Sequence, residues 1–316
     1  MQAVRYSQYG AADVMRYEDA ERPRPQPGQV LVKVAATSFN PVDVGIRAGF
    51  LQQVFPLHFP HTPGIDVAGT VAELGEGVAG LSIGDVVIGF LPMNENGAAA
   101  EFVLAPAEVL TAAPTSIPLT AAAALPAVAL TAWQALFEHA RLQPGQRILI
   151  NGAGGGVGGF AVQLAKQAGA TVIATASPRS ADVVRSYGAN QIVDYTSTTL
   201  KDAITEPVDV VLNLVTASEQ DMAGLMGLIR PGGVLVSTTS PAQDDLERNV
   251  RAVRMFVRSD ADQLATIIAR VDAGELRVDV SASYPLSEIA RVHELSDAGQ
   301  IRGKVLLIPG LGKEQP

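Results

Sequence analysis

The residues Ile148-Leu149-Ile150-Asn151-Gly152-Ala153-Gly154-Gly155-Gly156-Val157-Gly158-Gly159 join an apolar run of strand length to clustered glycines and then to an apolar helix starting at about Val157. Backbone N–H groups at a helix start lack intrahelical partners and, with the helix dipole, attract phosphate. Glycines let the ligand come close. Two registers fit, Gly154-x-Gly156-x-x-Gly159 and the looser Ala153-x-Gly155-x-x-Gly158. The context is that of a dinucleotide site: Phe160 to Ala168 continues as a helix, and Thr171 to Ala176 supplies a second strand, completing a βαβ unit. Gly154, Gly155, Gly156 and Val157 are the expected pyrophosphate contacts.

The end of the second strand selects the nucleotide. An NAD site places an acid about 20 residues beyond the glycines for the ribose 2′-hydroxyl, whereas a 2′-phosphate needs that acid replaced by a cation. Here the chain reads Ser177-Pro178-Arg179. Arg179 offers a bidentate fork and Ser177 a hydroxyl donor, which favours NADPH over NADH. A solvated Arg179 at a helix start is the alternative. Thr238, Thr239 and Ser240 end another predicted strand, where doubly wound sheets bind ligands, and are placed to meet the nicotinamide half.

Elements of two kinds must position these groups. Residues 1 to about 115 carry short β-rich runs such as 30–36 and 86–90 between Pro/Gly turns. From Leu119 an Ala-rich helix is expected to Arg141, followed by strands at 147–151, 171–176, 191–194, 208–214 and 233–238 alternating with helices. That is the pattern of a doubly wound parallel sheet. A strand at 250–257 and a helix at 261–273 follow, and the closing Gly303-Lys304-Val305-Leu306-Leu307-Ile308-Pro309 is read as rejoining the first domain. The expected division is 1–118 with 262–316 as a β-rich substrate domain, and 119–261 as the nucleotide-binding domain.

Composition narrows the chemistry. The net charge of −9 over 316 residues, without a basic stripe, argues against nucleic acid or an anionic membrane as partner. No apolar window reaches the length of a membrane span, and the N-terminus lacks a signal-peptide core, so a cytoplasmic enzyme is expected. The absence of cysteine removes disulfides, thiol nucleophiles and thiolate metal sites together. His58 and His61 lie three apart without a third nearby ligand, which favours loop packing or a cleft lining over a metal site.

The order Asn40-Pro41-Val42-Asp43, Pro63-Gly64-Ile65-Asp66-Val67-Ala68-Gly69, Gly84-Asp85-Val86-Val87, Leu125-Pro126 through Leu130-Thr131-Ala132-Trp133, the glycine loop and Gly303-Lys304-Val305 closely resembles the medium-chain dehydrogenase/reductase superfamily. Within it the chain resembles the zinc-independent quinone oxidoreductase branch. The resemblance implies an α/β protein with a GroES-like substrate domain, an inserted Rossmann domain, a cleft between them and a homodimer formed through the Rossmann sheets. Zinc-dependent relatives carry Cys and His where this chain has Asn40 and Ile65, so no catalytic metal is expected.

Without zinc, an alkoxide loses its Lewis acid, but reduction of an activated C=C needs only hydrogen bonds and a proton besides the hydride. The resemblance implies NADPH-dependent reduction of a small hydrophobic quinone, enone or enal. It assigns Asn40 to the nicotinamide or its ribose and to the substrate, Thr131 to the cofactor, and Tyr195 to the 2′-phosphate and adenine. Asn40 is alternatively an Asx turn before Pro41, and Thr131 a buried helix hydroxyl. Asp43 is read either as orienting a water for protonation or as a helix N-cap. The tyrosine common five residues after the Asn is Gly45 here, and Phe50 stands where many relatives have another, which leaves solvent as a further proton source. Asp66 is expected to hold its loop by hydrogen bonds. The apolar segment 50–59 either lines the cleft or packs the domain core. Two other functions stay open: an enoyl-thioester reductase of a biosynthetic pathway, and a non-catalytic NADPH-binding sensor or structural protein.

Overall fold

The computed structural model describes residues 1–311. They form two compact units, one running from Met1 to Ala127 and resuming at Ser259, the other Val128–Arg258. These divisions at 127/128 and 258/259 stand nine and three residues from the expected 118/119 and 261/262. The single helix expected from Leu119 to Arg141 is broken at Pro126 into Leu119–Ala122, Pro126–Trp133 and a π-helical turn Gln134–His139. Proline has no N–H to donate and fits best in a first helical turn, so it starts a new helix.

In the second unit six parallel strands lie in the order Gln191–Val193, Thr171–Thr175, Arg147–Asn151, Val208–Asn213, Ile229–Ser237 and Arg251–Arg254. Counted along this unit the order is 3-2-1-4-5-6, that of a Rossmann sheet. The apolar strand residues are buried because helices cover a parallel sheet. Leu149, Ile173, Val211 and Leu235 pack with Met222 and Leu225 of the helix Glu219–Gly227. The strand expected at 250–257 shortens to Arg251–Arg254.

The first unit is built on the strand Gln29–Phe39, which pairs antiparallel with Asp66–Leu74 on one side. On the other it pairs with Phe102–Pro106 along its first half and with Lys304–Ile308 along its second. The C-terminal segment therefore rejoins this unit through backbone hydrogen bonds, with Val305 opposite Phe39. This pairing carries Lys304 to the end of the Gln29–Phe39 strand. The chain then turns at Asn40 into the helix Pro41–Arg47. Buried Arg47 anchors that helix: its Nε donates to Gly10 O (3.2 Å), and one terminal nitrogen meets His293 Nδ1 at 3.1 Å. Burial, then the Arg47 charge, holds His293 down to about 3, so the ring stays neutral and accepts. Among the described residues no helix is long and apolar enough to cross a membrane.

Candidate functional site

The glycine loop follows directly from the strand Arg147–Asn151. Gly152 has φ +98°, a conformation that disfavours side chains, and turns the chain into the helix Gly156–Gln167, whose N-cap is Gly155. No side chain caps this end, so the first-turn N–H groups are the donors that a phosphate would accept. A Cβ on Gly158 would lie 2.4 Å from Gly152 O and 2.5 Å from Ala153 Cα. Gly158 is therefore the glycine of close helix–loop packing, and the register is Ala153-x-Gly155-x-x-Gly158.

Gly154 faces the next strand's turn. A Cβ there would meet Ser180 Oγ at 2.7 Å, which places the loop against the turn 177–180. Ser180 N donates to Ser177 O at 2.9 Å and closes that turn, with Arg179 exposed on it. Tyr195, 59 % exposed, follows the adjacent strand Gln191–Val193. Arg179 and Tyr195 thus stand beyond the carboxyl ends of neighbouring strands, with the Arg179 turn against the glycine loop.

A polar row that local sequence reasoning missed crosses the same edge. Thr175, Asn151, Asn213 and Ser237 each end an apolar strand of the sheet. Thr175 Oγ1 accepts from Gly152 N (2.8 Å) and donates to Asn151 Oδ1 (3.0 Å). Asn151 Nδ2 donates to Asn213 Oδ1 (2.9 Å), and Asn213 Nδ2 donates to Ser237 Oγ (3.2 Å). The signal was a single polar residue closing each apolar run. The row ties the glycine loop to strand ends on both sides of it.

Of the three hydroxyls assigned to the nicotinamide half, two are committed internally. Thr239 Oγ1 donates to Val215 O at 2.7 Å, and Ser240 Oγ both donates to Ala217 O and accepts from Ala217 N at 2.9 Å. They hold the loop 214–217 through these bonds. Thr238 is half-buried at the strand end, its N–H donating to Asn213 O. Thr131 is buried on the helix Pro126–Trp133.

In the first unit, Asn40 and Asp43 belong to a buried polar hub. Asn40 is the N-cap of the helix Pro41–Arg47, and Asp43, at its third position, accepts Asn40 N–H at 2.9 Å. Asp43 is thus not an N-cap but the acid that braces one from inside the first turn. The Asn40 amide points away from the helix. Its Nδ2 donates to Asp66 Oδ2 (2.8 Å) and Ser38 O (3.3 Å), while its Oδ1 accepts from Lys304 Nζ (2.9 Å). This lateral binding adds to the capping box at the helix start.

Asp66, wholly buried, sits at the centre of the hub. Its Oδ2 also accepts from Ser38 Oγ and from Lys304 Nζ (3.2 Å), and its Oδ1 from Ala127 N (2.7 Å). Lys304 completes its donors on Phe39 O at 3.2 Å. A buried carboxylate and a buried ammonium are tolerable only with partners of this kind. The glycine-lysine pair of the closing motif was visible in the sequence, but not its destination 264 residues away.

Asp43 is also buried. Desolvation raises its carboxyl to about 7, helped by the Asp66 charge and opposed by the Asn40 N–H and Lys304. His61 is buried beside Tyr6, its ring edge-on at 5.3 Å, and burial lowers it to about 4. His58 is exposed. In the segment 50–59, Phe50 and Val54 are exposed at 83 % and 51 %, whereas Phe59 packs on Tyr9 at 5.0 Å. The segment is thus split between surface and packing.

Residues 26–115 match a family model described as alcohol dehydrogenase GroES-like domain, and residues 187–307 one described as zinc-binding dehydrogenase. The chloroplast envelope quinone oxidoreductase homolog of Arabidopsis thaliana is 32 % identical over 325 residues, covering 98 % of each chain. The solved quinone oxidoreductase of Coxiella burnetii is 31 % identical, with a TM-score of 0.88 over 98 % of this chain and 99 % of that one. A mycobacterial protein solved in complex with NADPH is 26 % identical, with a TM-score of 0.85 over 98 % and 100 % of the two chains. A GroES-like unit and a Rossmann unit with a glycine phosphate cradle define an oxidoreductase that uses a nicotinamide dinucleotide. The chain belongs to the medium-chain dehydrogenase/reductase superfamily, in its quinone oxidoreductase branch.

Proposed function

We propose that this enzyme reduces a small hydrophobic quinone, or the activated C=C of an enone or enal, with NADPH and without zinc. The observation that carries the reading is the cradle at Gly155–Gly158, where a single Cβ would fill the space left for close approach of loop and helix. The N–H groups of that helix start would hold the pyrophosphate. Arg179 and Ser177 would hold the 2′-phosphate, and Tyr195 would lie along the adenine. Thr131 and Thr238 would flank the nicotinamide end. Asn40 Oδ1, which accepts once from Lys304, keeps a second lone pair for a ribose or substrate hydroxyl. When bound, the reduced nicotinamide supplies a hydride to the electron-poor carbon.

The donor set supports zinc independence. Asn40 and Ile65 are poor replacements for a thiolate and an imidazole, and the chain has no cysteine. Of the buried carboxylates beside them, Asp66 is already bound to an ammonium at 3.2 Å, whose charge would oppose a divalent cation. A homodimer belongs to the same reading, supported by the open outer edge of the strand Arg251–Arg254 among the described residues. So does a cytoplasmic setting, supported by the acidic, cysteine-free composition.

The experiment is NADPH oxidation followed by absorbance against a benzoquinone, an alkyl enone, an enal and an enoyl thioester, with NADH in parallel. Turnover of the quinone or enone with NADPH is expected; turnover of the thioester alone would replace the reading. Arg179→Ala should weaken NADPH binding by about 1–3 kcal/mol, the range for a charge-assisted contact, and leave NADH nearly unchanged. Equal losses in calorimetric titrations of both cofactors would remove Arg179 from the 2′-phosphate.

A further inference from the structure

Beneath the turn from Asn40 to Asp43 lies a small cavity lined by Tyr6, Asp43, Ile46, His61 and Ile65, with Glu95 exposed at its rim. It has room for about one water molecule. Tyr6 is 2 % exposed, and its hydroxyl has no hydrogen-bond partner within the protein. A buried polar atom in that condition costs about 1–3 kcal/mol unless a water satisfies it, and a cavity that a water enters needs polar walls. Both conditions meet here. The ring itself is fixed, because Tyr6 and His61 exchange backbone hydrogen bonds at 3.0 and 2.8 Å and Phe59 packs edge-on at 5.9 Å.

We propose that this cavity binds one water held by the Tyr6 hydroxyl and the Asp43 carboxyl, and that the three form a buried proton store serving the reduction. The role in reduction rests on the function proposed above; the water site does not. Asp43 is the group that gives up the proton. The substrate gains two electrons with the hydride, and one proton from the Asp43 carboxyl then completes a hydroquinone O–H or an α-C–H. The carboxylate left behind takes its proton back through the water from solvent at the Glu95 rim. Tyr6 is a positioning residue: it fixes the water that faces Asp43.

The charges around Asp43 suit a carboxyl that exchanges its proton near neutrality. Asp66 and Lys304 act on it from the hub, Arg47 at the end of its own helix acts on Tyr6, and Tyr6, His61 and Glu95 line the cavity beside it. His61 is neutral in this pH range, so it does not fix a counter-charge. Burial, with the Asp43 charge adding to it, raises the Tyr6 hydroxyl, which therefore stays protonated and donates. With Asp43 near 7, the store is loaded below that pH and emptied above it.

The test uses infrared spectra of the full-length protein, a high-resolution crystal structure, and pH profiles of NADPH-driven benzoquinone reduction. A buried protonated-carboxyl band is expected at neutral pH, lost in Asp43→Asn and displaced in Tyr6→Phe, with an ordered water between Tyr6 and Asp43. Tyr6→Phe keeps the ring packing but removes a donor to the carboxylate, so the alkaline limb of the profile should move up by about 0.5–1 pH unit. No band in the wild type, an empty cavity, or a limb unmoved by Tyr6→Phe would overturn the proposal. A wild-type protein that keeps the band and the water but reduces none of the electrophiles would overturn the role in reduction and leave the water site standing.

Discussion

Lys304→Met should lower the stability of the protein by about 3–5 kcal/mol, the cost of removing one partner from a buried ion pair. The ammonium is 4 % exposed and Asp66 wholly buried, so neither charge has water to fall back on. The loss comes mainly from Asp66: its carboxylate would keep Ser38, Asn40 and Ala127 as donors but lose its only cationic partner among the described residues. The cost should appear as a fall in urea midpoint with little change in slope. Asp66→Asn in the same background should recover part of the loss, because two neutral groups then share the hub, and the cycle of single and double variants should give a coupling above about 1 kcal/mol. A Lys304→Met protein as stable as the parent would mean that water reaches the hub. Under the proposed contact of Asn40 with the cofactor ribose, loss of the bond that orients its amide should lower NADPH affinity as well.

Gly158→Ala should weaken NADPH binding at least tenfold, or about 1.4 kcal/mol, and lower thermal stability as well. The added methyl would lie 2.4 to 2.7 Å from Gly152 O, Ala153 Cα and Ala153 C. All three are backbone atoms, so no side chain can turn aside. Either the loop shifts away from the helix start, separating the phosphate donors from the loop they work with, or the helix tilts. Gly224→Ala is the control, since a Cβ there meets nothing within 4 Å on an exposed helical turn. It should stabilise the protein by up to about 1 kcal/mol and leave NADPH affinity alone. Calorimetric titration with NADPH separates the two variants. Unchanged affinity in Gly158→Ala would show that the cradle tolerates a side chain and is not built around close approach.

The parallel sheet was legible because most of its strands carry an apolar run bounded by turn residues; Arg147–Asn151 is observed as expected. The glycine loop was legible in outline, but its register was not, since only the distance from Gly158 to the loop backbone distinguishes the two patterns. The run of alanines around Pro126 favours one long helix, and the proline, which cannot donate within it, breaks that helix in two. Pairings across long sequence separations leave no local trace, and the hub that joins residues 38, 40, 66, 127 and 304 is of this kind. Asn40 was chosen from its motif, but the direction of its amide depends on Lys304. Tyr6 was hidden for the opposite reason: it reads as an ordinary strand aromatic, and only its unsatisfied hydroxyl over a cavity marks it.

Under the proposed function, NADPH delivers a hydride to an activated carbon without a metal. The most direct test is single-turnover reduction of an alkyl enone with NADPH deuterated at the transferable position, using protein stripped with a strong chelator and analysed for metal. A saturated ketone with deuterium at the β-carbon and a rate unaffected by the chelator are expected. Deuterium on the carbinol carbon of an alcohol product, with activity lost on chelation and restored by zinc, would contradict it.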